Sequence, residues 1–307
     1  MQMRVKAPTP DGWWLGFRRI DGGGRPVLLV PGFAMNTFIL GFHPTGRSLM
    51  AFLADAGHDV WGVNMRGQGD NKRGSNSQIG LAERALIDLP AALRHIRRET
   101  GADSVDVIGC SLGGTLTYAL LAHDPSAPVR RVVAIGSPLT WRVSTPWHTA
   151  FGLIGPVAGR VPIYGSRLAA RSVLPLVARL APRVLSIYLN ADHVDISQAG
   201  QLVRTIEDPA PRIRRQLAAW IRAGDLVVGG VNVVEGLSAV QGDLMVVTGT
   251  GDGIAPRRAC LPALEAWGGP ALHLDVGSPD DRWAHADLFI ADRADDEVFA
   301  PIVEFLR

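Results

Sequence analysis

The sequence predicts an α/β protein, a mostly parallel, doubly wound sheet with helices on both faces and one inserted helical segment. Three observations carry this. From Val27 onward, short continuous apolar runs that end in glycine or proline alternate with amphipathic stretches. That is the pattern of strands buried on both faces and joined by crossover helices. The alternation stops near residue 141, where Pro146, Pro156, Pro162, Pro175 and Pro182 fall in a segment without a clear buried strand. It resumes at Leu244–Thr248 and Leu272–Val276. The 307 residues therefore read as one core, 1–140 with 236–307, interrupted by a cap-like insertion at 141–235.

Each element follows from local chemistry. Asp11-Gly12 is a hairpin turn between the runs Arg4–Pro8 and Trp13–Ile20. Val27–Val30 is a buried strand closed by Pro31-Gly32. Ser48–Ala56 is helical, with Leu49, Phe52 and Leu53 on one face and Gly57 as its stop. His58–Asn64 is a strand and Arg66-Gly67-Gln68-Gly69 a loop. Leu81 to Thr100 is mostly helical, ends at Gly101, and is kinked or split by Pro90, which lacks an N–H. Val105–Gly109 and Arg131–Ile135 are strands on either side of a helix, Leu112–Ala122. Within the insertion, Pro211 to Ala223 places Ile213, Leu217, Trp220 and Ile221 on one stripe. A last helix covers 287–307.

Composition narrows the function. Thirty-one basic against 29 acidic residues give a net charge of +2. That balance argues against nucleic-acid binding. Two cysteines, Cys110 and Cys260, exclude a disulfide framework and a multi-cysteine zinc site. Neither a signal peptide nor a spanning segment is evident, so the expectation is a cytoplasmic chain without stable membrane insertion. A mean hydropathy of +0.14 suggests apolar surface that serves a lipid-like ligand.

The strongest chemical signal is Gly109-Cys110-Ser111-Leu112-Gly113, which ends an apolar strand and opens a helix. In that context G-x-S-x-G is a nucleophile elbow. A tight strand-to-helix turn pushes the Ser111 hydroxyl clear of the backbone, and residues two before and two after it must be small. The same turn aims the Leu112 N–H, at a helix N-terminus, toward a developing oxyanion. A frame centred on Cys110 would need glycine at 108 and 112, where Ile108 and Leu112 stand. Of eight histidines, His285 lies in a polar loop between the last strand and the last helix, at the sheet edge where ligands bind, and is the candidate base. Asp252, in the loop after Leu244–Thr248, is the candidate acid, with Asp280 and Asp281 as alternatives. The loop Pro31-Gly32-Phe33 offers the Phe33 N–H as a second oxyanion donor.

Together these segments resemble the α/β-hydrolases, and the order Ser111, Asp252, His285 is that superfamily's order. The run Ala54-Asp55-Ala56-Gly57-His58-Asp59-Val60-Trp61, followed by Asn64-Met65-Arg66-Gly67, resembles the acid-lipase and polyhydroxyalkanoate-synthase branches. The synthases use cysteine where this chain has Ser111, and Pro31 stands where many members have histidine. The resemblance implies an α/β-hydrolase fold with a helical cap and a serine hydrolase acting on an ester, thioester or lactone. No cofactor or metal is expected, and the partner is a small acyl substrate. Trp141, Trp147 and Phe151 are the expected acyl contacts, unless they form the cap's own core. An acyltransferase with the same acyl-enzyme and a non-catalytic ligand-binding protein remain the alternatives.

Overall fold

The computed structural model describes residues 2–69, 71, 79–142, 148–153, 165, 173, 176–177 and 185–307. Among them, eight strands form one sheet in the order β1-β2-β4-β3-β5-β6-β9-β10. They are β1 (Gln2–Pro8), β2 (Trp14–Ile20), β3 (Pro26–Val30), β4 (Asp59–Asn64), β5 (Val105–Cys110), β6 (Val129–Ile135), β9 (Asp243–Gly249) and β10 (Ala271–Val276). The pairs β1/β2 and β2/β4 are antiparallel, and the rest of the sheet is parallel. A separate two-stranded ribbon joins β7 (Val227–Val228) to β8 (Val231–Asn232). Gly12 takes φ 84° in the first turn, which its lack of a Cβ allows.

The continuous apolar runs are explained by two cores. Strand side chains alternate between faces, so Leu28, Val30, Trp61, Val63 and Val107 enter one core. Val27, Leu29, Val60, Ile108 and Cys110 enter the other. The first face is covered by α3 (Leu89–Thr100) and α4 (Leu112–His123), through residues such as Leu93 and Leu116. The second is covered by α1 (Leu49–Asp55) and the C-terminal helix Ala300–Leu306. Ser48 caps α1 by accepting from the Ala51 N–H.

Two helices with a proline inside their expected length break in the same way. α2 (Leu81–Glu83) passes through a π-helical turn, Arg84–Asp88, before α3 begins with Pro90 in its first turn. Near the C-terminus, the expected single helix is Asp287–Ile290, a π-helical turn Asp295–Phe299, and Ala300–Leu306 with Pro301 in its first turn. A proline ring clashes with the carbonyl four residues back and supplies no N–H. The wider turn just upstream accommodates both defects without ending the helix.

Strands β6 and β9 are neighbours in the sheet, and residues 136–242 connect them. This connection contains the whole expected insertion. The helix Pro211–Ala223 forms as the apolar stripe predicts, with Ile213 and Trp220 buried. Its last part folds back on the main body, where Leu226, Val228 and Val233 join the core beside α4. None of the described helices is long and apolar enough to cross a membrane.

Candidate active site

Ser111 stands between β5 and α4 with φ 53° and ψ −123°, and its N–H donates to the Ile135 carbonyl at 2.8 Å. For a residue with a Cβ this conformation costs about 1–3 kcal/mol, so it persists only because the surroundings enforce it. They do so by close packing. A Cβ at Gly109 would lie 2.3 Å from the Gly114 Cα, and one at Gly113 would lie 2.1 Å from the Val30 carbonyl oxygen. The small residues flanking Ser111 are therefore a steric requirement of the turn. The first N–H groups of a helix have no carbonyl partner within it, and Leu112 opens α4.

The loop after β3 lies against the elbow. A Cβ at Gly32 would be 3.0 Å from the Ser111 Cβ and 3.2 Å from the Cys110 carbonyl oxygen. Phe33, the expected second donor, follows directly, and Ala34 takes a left-handed φ of 53°. The Arg66-Gly67-Gln68-Gly69 loop braces this segment. Arg66 is fully buried between Asp88 and Asp11, and Gln68 Nε2 donates to the Met35 carbonyl at 2.7 Å.

The structure pairs His285 with Asp252. Nδ1 of His285 donates to Oδ2 of Asp252 at 2.6 Å, and both residues are buried. Oδ1 of Asp252 accepts from the N–H groups of Ile254 and Ala255 at 2.9 and 2.7 Å. A carboxylate that accepts from Nδ1–H leaves the lone pair on Nε2, as a general base requires. Gly136 ties this pair to the elbow. It follows Ile135, which accepts the Ser111 N–H, and a Cβ there would meet His285 Cε1 at 3.0 Å.

The alternatives are engaged elsewhere. Asp281 pairs with Arg293 and His193. Asp280 is exposed. Cys110 packs into the core beside Ile108 and Ile135, where burial pushes its thiol well above the ordinary range. His43 bonds the Ala291 carbonyl, His123 that of Val228 and His148 that of Ile254. His95 packs against Phe17 and Trp61, and His273 bonds Thr248.

Of the expected acyl contacts, Trp141 is buried against Trp220 and His148, Phe151 is half-buried, and Trp147 lies outside the described residues. A different part of the connection reaches the pair. The Gly253 N–H donates to the Ile187 carbonyl at 3.0 Å and the Ala286 N–H to the Tyr188 carbonyl at 2.6 Å. The Tyr188 ring lies 6.2 Å from that of His285, and burial pushes its hydroxyl up to about 12. Asp287 supports the base loop from within. It accepts from the N–H groups of Ala284 at 2.7 Å and Asn190 at 2.9 Å, and His193 lies beside it. Burial raises its carboxyl above the ordinary aspartate range. Asp287 and Gly136 carry no motif, so sequence reasoning misses them. A cavity of about 480 Å³, lined by Arg4, Lys6, Arg18 and Arg204, opens beside β1 and β2; Ser111, Asp252 and His285 do not line it.

Comparison with known proteins identifies the family. The chain is 30% identical over 166 residues to human lipase member N, covering 48% of this chain and 42% of that protein. It is 30% identical over 154 residues to triacylglycerol lipase 2 of Arabidopsis thaliana, covering 43% and 36%. It spans less than half the length of these curated relatives. Among solved structures, an esterase from Exiguobacterium antarcticum superposes with a TM-score of 0.66 at 15% identity, covering 99% of each chain. A bromoperoxidase from Bacillus anthracis gives 0.64 at 14%, covering 100% and 99%. At such identities the likeness is one of fold. Residues 25–267 match the family described as alpha/beta hydrolase fold, and on that match the chain belongs to this family.

Proposed function

We propose that the protein is a serine hydrolase that cleaves a carboxylic ester, thioester or lactone through an acyl-enzyme on Ser111. The observation that carries this is a strained serine, φ 53°, at a strand-to-helix turn, tied through Ile135 and Gly136 to a buried Asp252–His285 pair. In this reading Ser111 Oγ attacks the acyl carbon while His285 Nε2 takes its proton. Asp252 holds the imidazole and stabilises its charged form. The N–H groups of Phe33 and Leu112 receive the oxyanion. As the tetrahedral intermediate collapses, the bond to the leaving group breaks and His285 returns the proton to it. Water, activated by the same histidine, then releases the acid and restores Ser111. The nucleophile, base and oxyanion donors are all protein groups, and the chemistry calls for no cofactor.

Residues 141–235 serve in this reading as a cap over Ser111, and their apolar side chains receive the acyl group. The lipases among the relatives support an ester substrate.

The test is labelling with a fluorophosphonate probe, followed by turnover of p-nitrophenyl esters from acetate to palmitate with and without an acceptor alcohol. A covalent adduct on Ser111 and release of free acid are expected. Each buried methylene contributes about 0.8 kcal/mol, so kcat/KM rises roughly fourfold per methylene over the first steps. No adduct and no turnover would reject the enzyme reading. Esters of the added alcohol as main product would establish the transferase, and a steady preference for acetyl over hexanoyl esters would reject the apolar pocket.

A further inference from the structure

We infer that Glu207, contributed by the long connection between β6 and β9, is a positioning residue that holds the Phe33 N–H in place. This rests on the proposed role of Ser111 and its oxyanion donors. The loop after β3 carries a left-handed Ala34, φ 53°, a conformation that a residue with a Cβ keeps only when its neighbours over-determine it. The neighbours on one side are residues 204–207. Met35 and Ile206 form an antiparallel bridge. The Glu207 N–H donates to the Ala34 carbonyl at 2.8 Å and the Asn36 N–H to the Thr205 carbonyl at 3.0 Å.

The Glu207 carboxylate closes this clasp. It is 2% exposed. Its Oε1 accepts from Asn36 Nδ2 at 2.6 Å and from the Gly69 N–H at 3.1 Å. Asn36 is held in turn, donating to the Arg204 carbonyl at 3.0 Å and accepting from the Phe38 N–H at 2.8 Å. One buried oxygen thus joins the long connection, the loop after β3 and the loop after β4. The buried guanidinium of Arg84 lies within electrostatic range of the carboxylate. Phe33 is the residue next to Ala34, so freedom at Ala34 is freedom in the direction of the Phe33 N–H. A transition-state donor loses its value when it is misdirected, while ground-state binding changes little.

The experiment compares Glu207→Ala, Glu207→Gln and Asn36→Ser with wild type and Ser111→Ala. It measures kcat and KM on p-nitrophenyl butyrate, the affinity of phenylboronic acid as a tetrahedral mimic, and Tm. Glu207→Ala is expected to lower kcat roughly 10- to 100-fold, short of the ~10²–10³ for outright loss of a donor. Boronate affinity should fall in parallel, with KM within about threefold of wild type. Glu207→Gln keeps an acceptor oxygen and should stay within about fivefold of wild type, the cost of a neutral for a charged acceptor. Asn36→Ser removes the amide that reaches Glu207, leaving a shorter hydroxyl, while keeping the backbone bond to Thr205, and should reproduce the kcat loss even if Glu207→Ala fails to fold. Folded variants with wild-type kcat and boronate affinity, or with only KM raised, overturn the inference whatever happens to Tm. Turnover retained in Ser111→Ala would instead reject the acyl-enzyme reading itself.

Discussion

Gly136 offers the sharpest separation of catalytic geometry from stability. Its φ is 52°, and a Cβ there would lie 3.0 Å from Cε1 and 3.1 Å from Nδ1 of His285, and 3.2 Å from Oδ2 of Asp252. Gly136→Ala therefore does two things. It puts an alanine in the left-handed region, at about 1–2 kcal/mol, which for a chain of this size lowers Tm by about 2–3 °C. It also drives the imidazole away by a few tenths of an ångström. A misplacement of 1 Å costs ~10²-fold, so a shift of a third of that costs about fivefold in kcat. Gly101 is the matched control. It caps α3 at φ 72°, and a Cβ there would meet nothing within 4 Å. Gly101→Ala should lower Tm by a similar amount and leave kcat unchanged. The measurements are melting by circular dichroism and steady-state hydrolysis of p-nitrophenyl butyrate. Wild-type kcat in Gly136→Ala, or an equal kcat loss in Gly101→Ala, would refute the reasoning.

Three further outcomes are expected. Ser111→Ala removes one hydroxyl from a preformed turn and should cut ester turnover by on the order of 10⁴-fold or more; Cys110→Ala, a change within the buried core, should leave most of it, and the reverse pattern would move the nucleophile to Cys110. Asp252→Asn should cost about 10⁴-fold by stabilising the wrong imidazole tautomer, whereas Asp281→Asn, which faces Arg293 and His193, should keep turnover within about tenfold, as no reacting group is touched; equal losses would deny Asp252 its role. Burial lowers the pKa of His58, His95, His148 and His273 below their ordinary 6.5, so acid favours the unfolded chain, which binds more protons. Their contribution to stability is full above pH 6.5 and is lost as pH falls toward the folded values. Tm should hold from about pH 8 to 7 and fall below about 6.5. His148→Gln, still able to donate to the Ile254 carbonyl, should flatten that fall, and a Tm that does not change between pH 7.5 and 5 would contradict it.

The alternating core and the Ser111 turn were legible because both are local. Apolar runs, small residues at 109 and 113, and loops at strand ends lie within a few positions of one another in the chain. The loops that carry Asp252 and His285 were legible as the segments that follow β9 and β10. The supports of those loops were not. Gly136 meets His285, Asn190 meets Asp287 and Asn36 meets Glu207 across roughly 90 to 170 residues, and each of these is an ordinary residue type whose partner only the fold supplies. The first π-helical turn was half legible and the second was not. Pro90 announced a defect, but whether the helix kinks, ends or widens depends on what packs beneath it, and here buried Ala85 and Asp88 hold the chain in line; near the C-terminus, where a single helix was expected, buried Val298 and Phe299 do the same.

The main-chain crossbar at Ile187 and Tyr188 has a consequence for how such a protein diversifies. It holds the acid loop through the Ile187 carbonyl and the base loop through the Tyr188 carbonyl, and every amino acid carries a carbonyl. Replacing either side chain leaves both hydrogen bonds available, so the Ile187 side chain, 45% exposed, and the Tyr188 ring beside His285 can change shape without removing them. The surroundings of the imidazole can thus drift by substitution at 187 and 188 while the alignment of Asp252 and His285 is inherited unchanged.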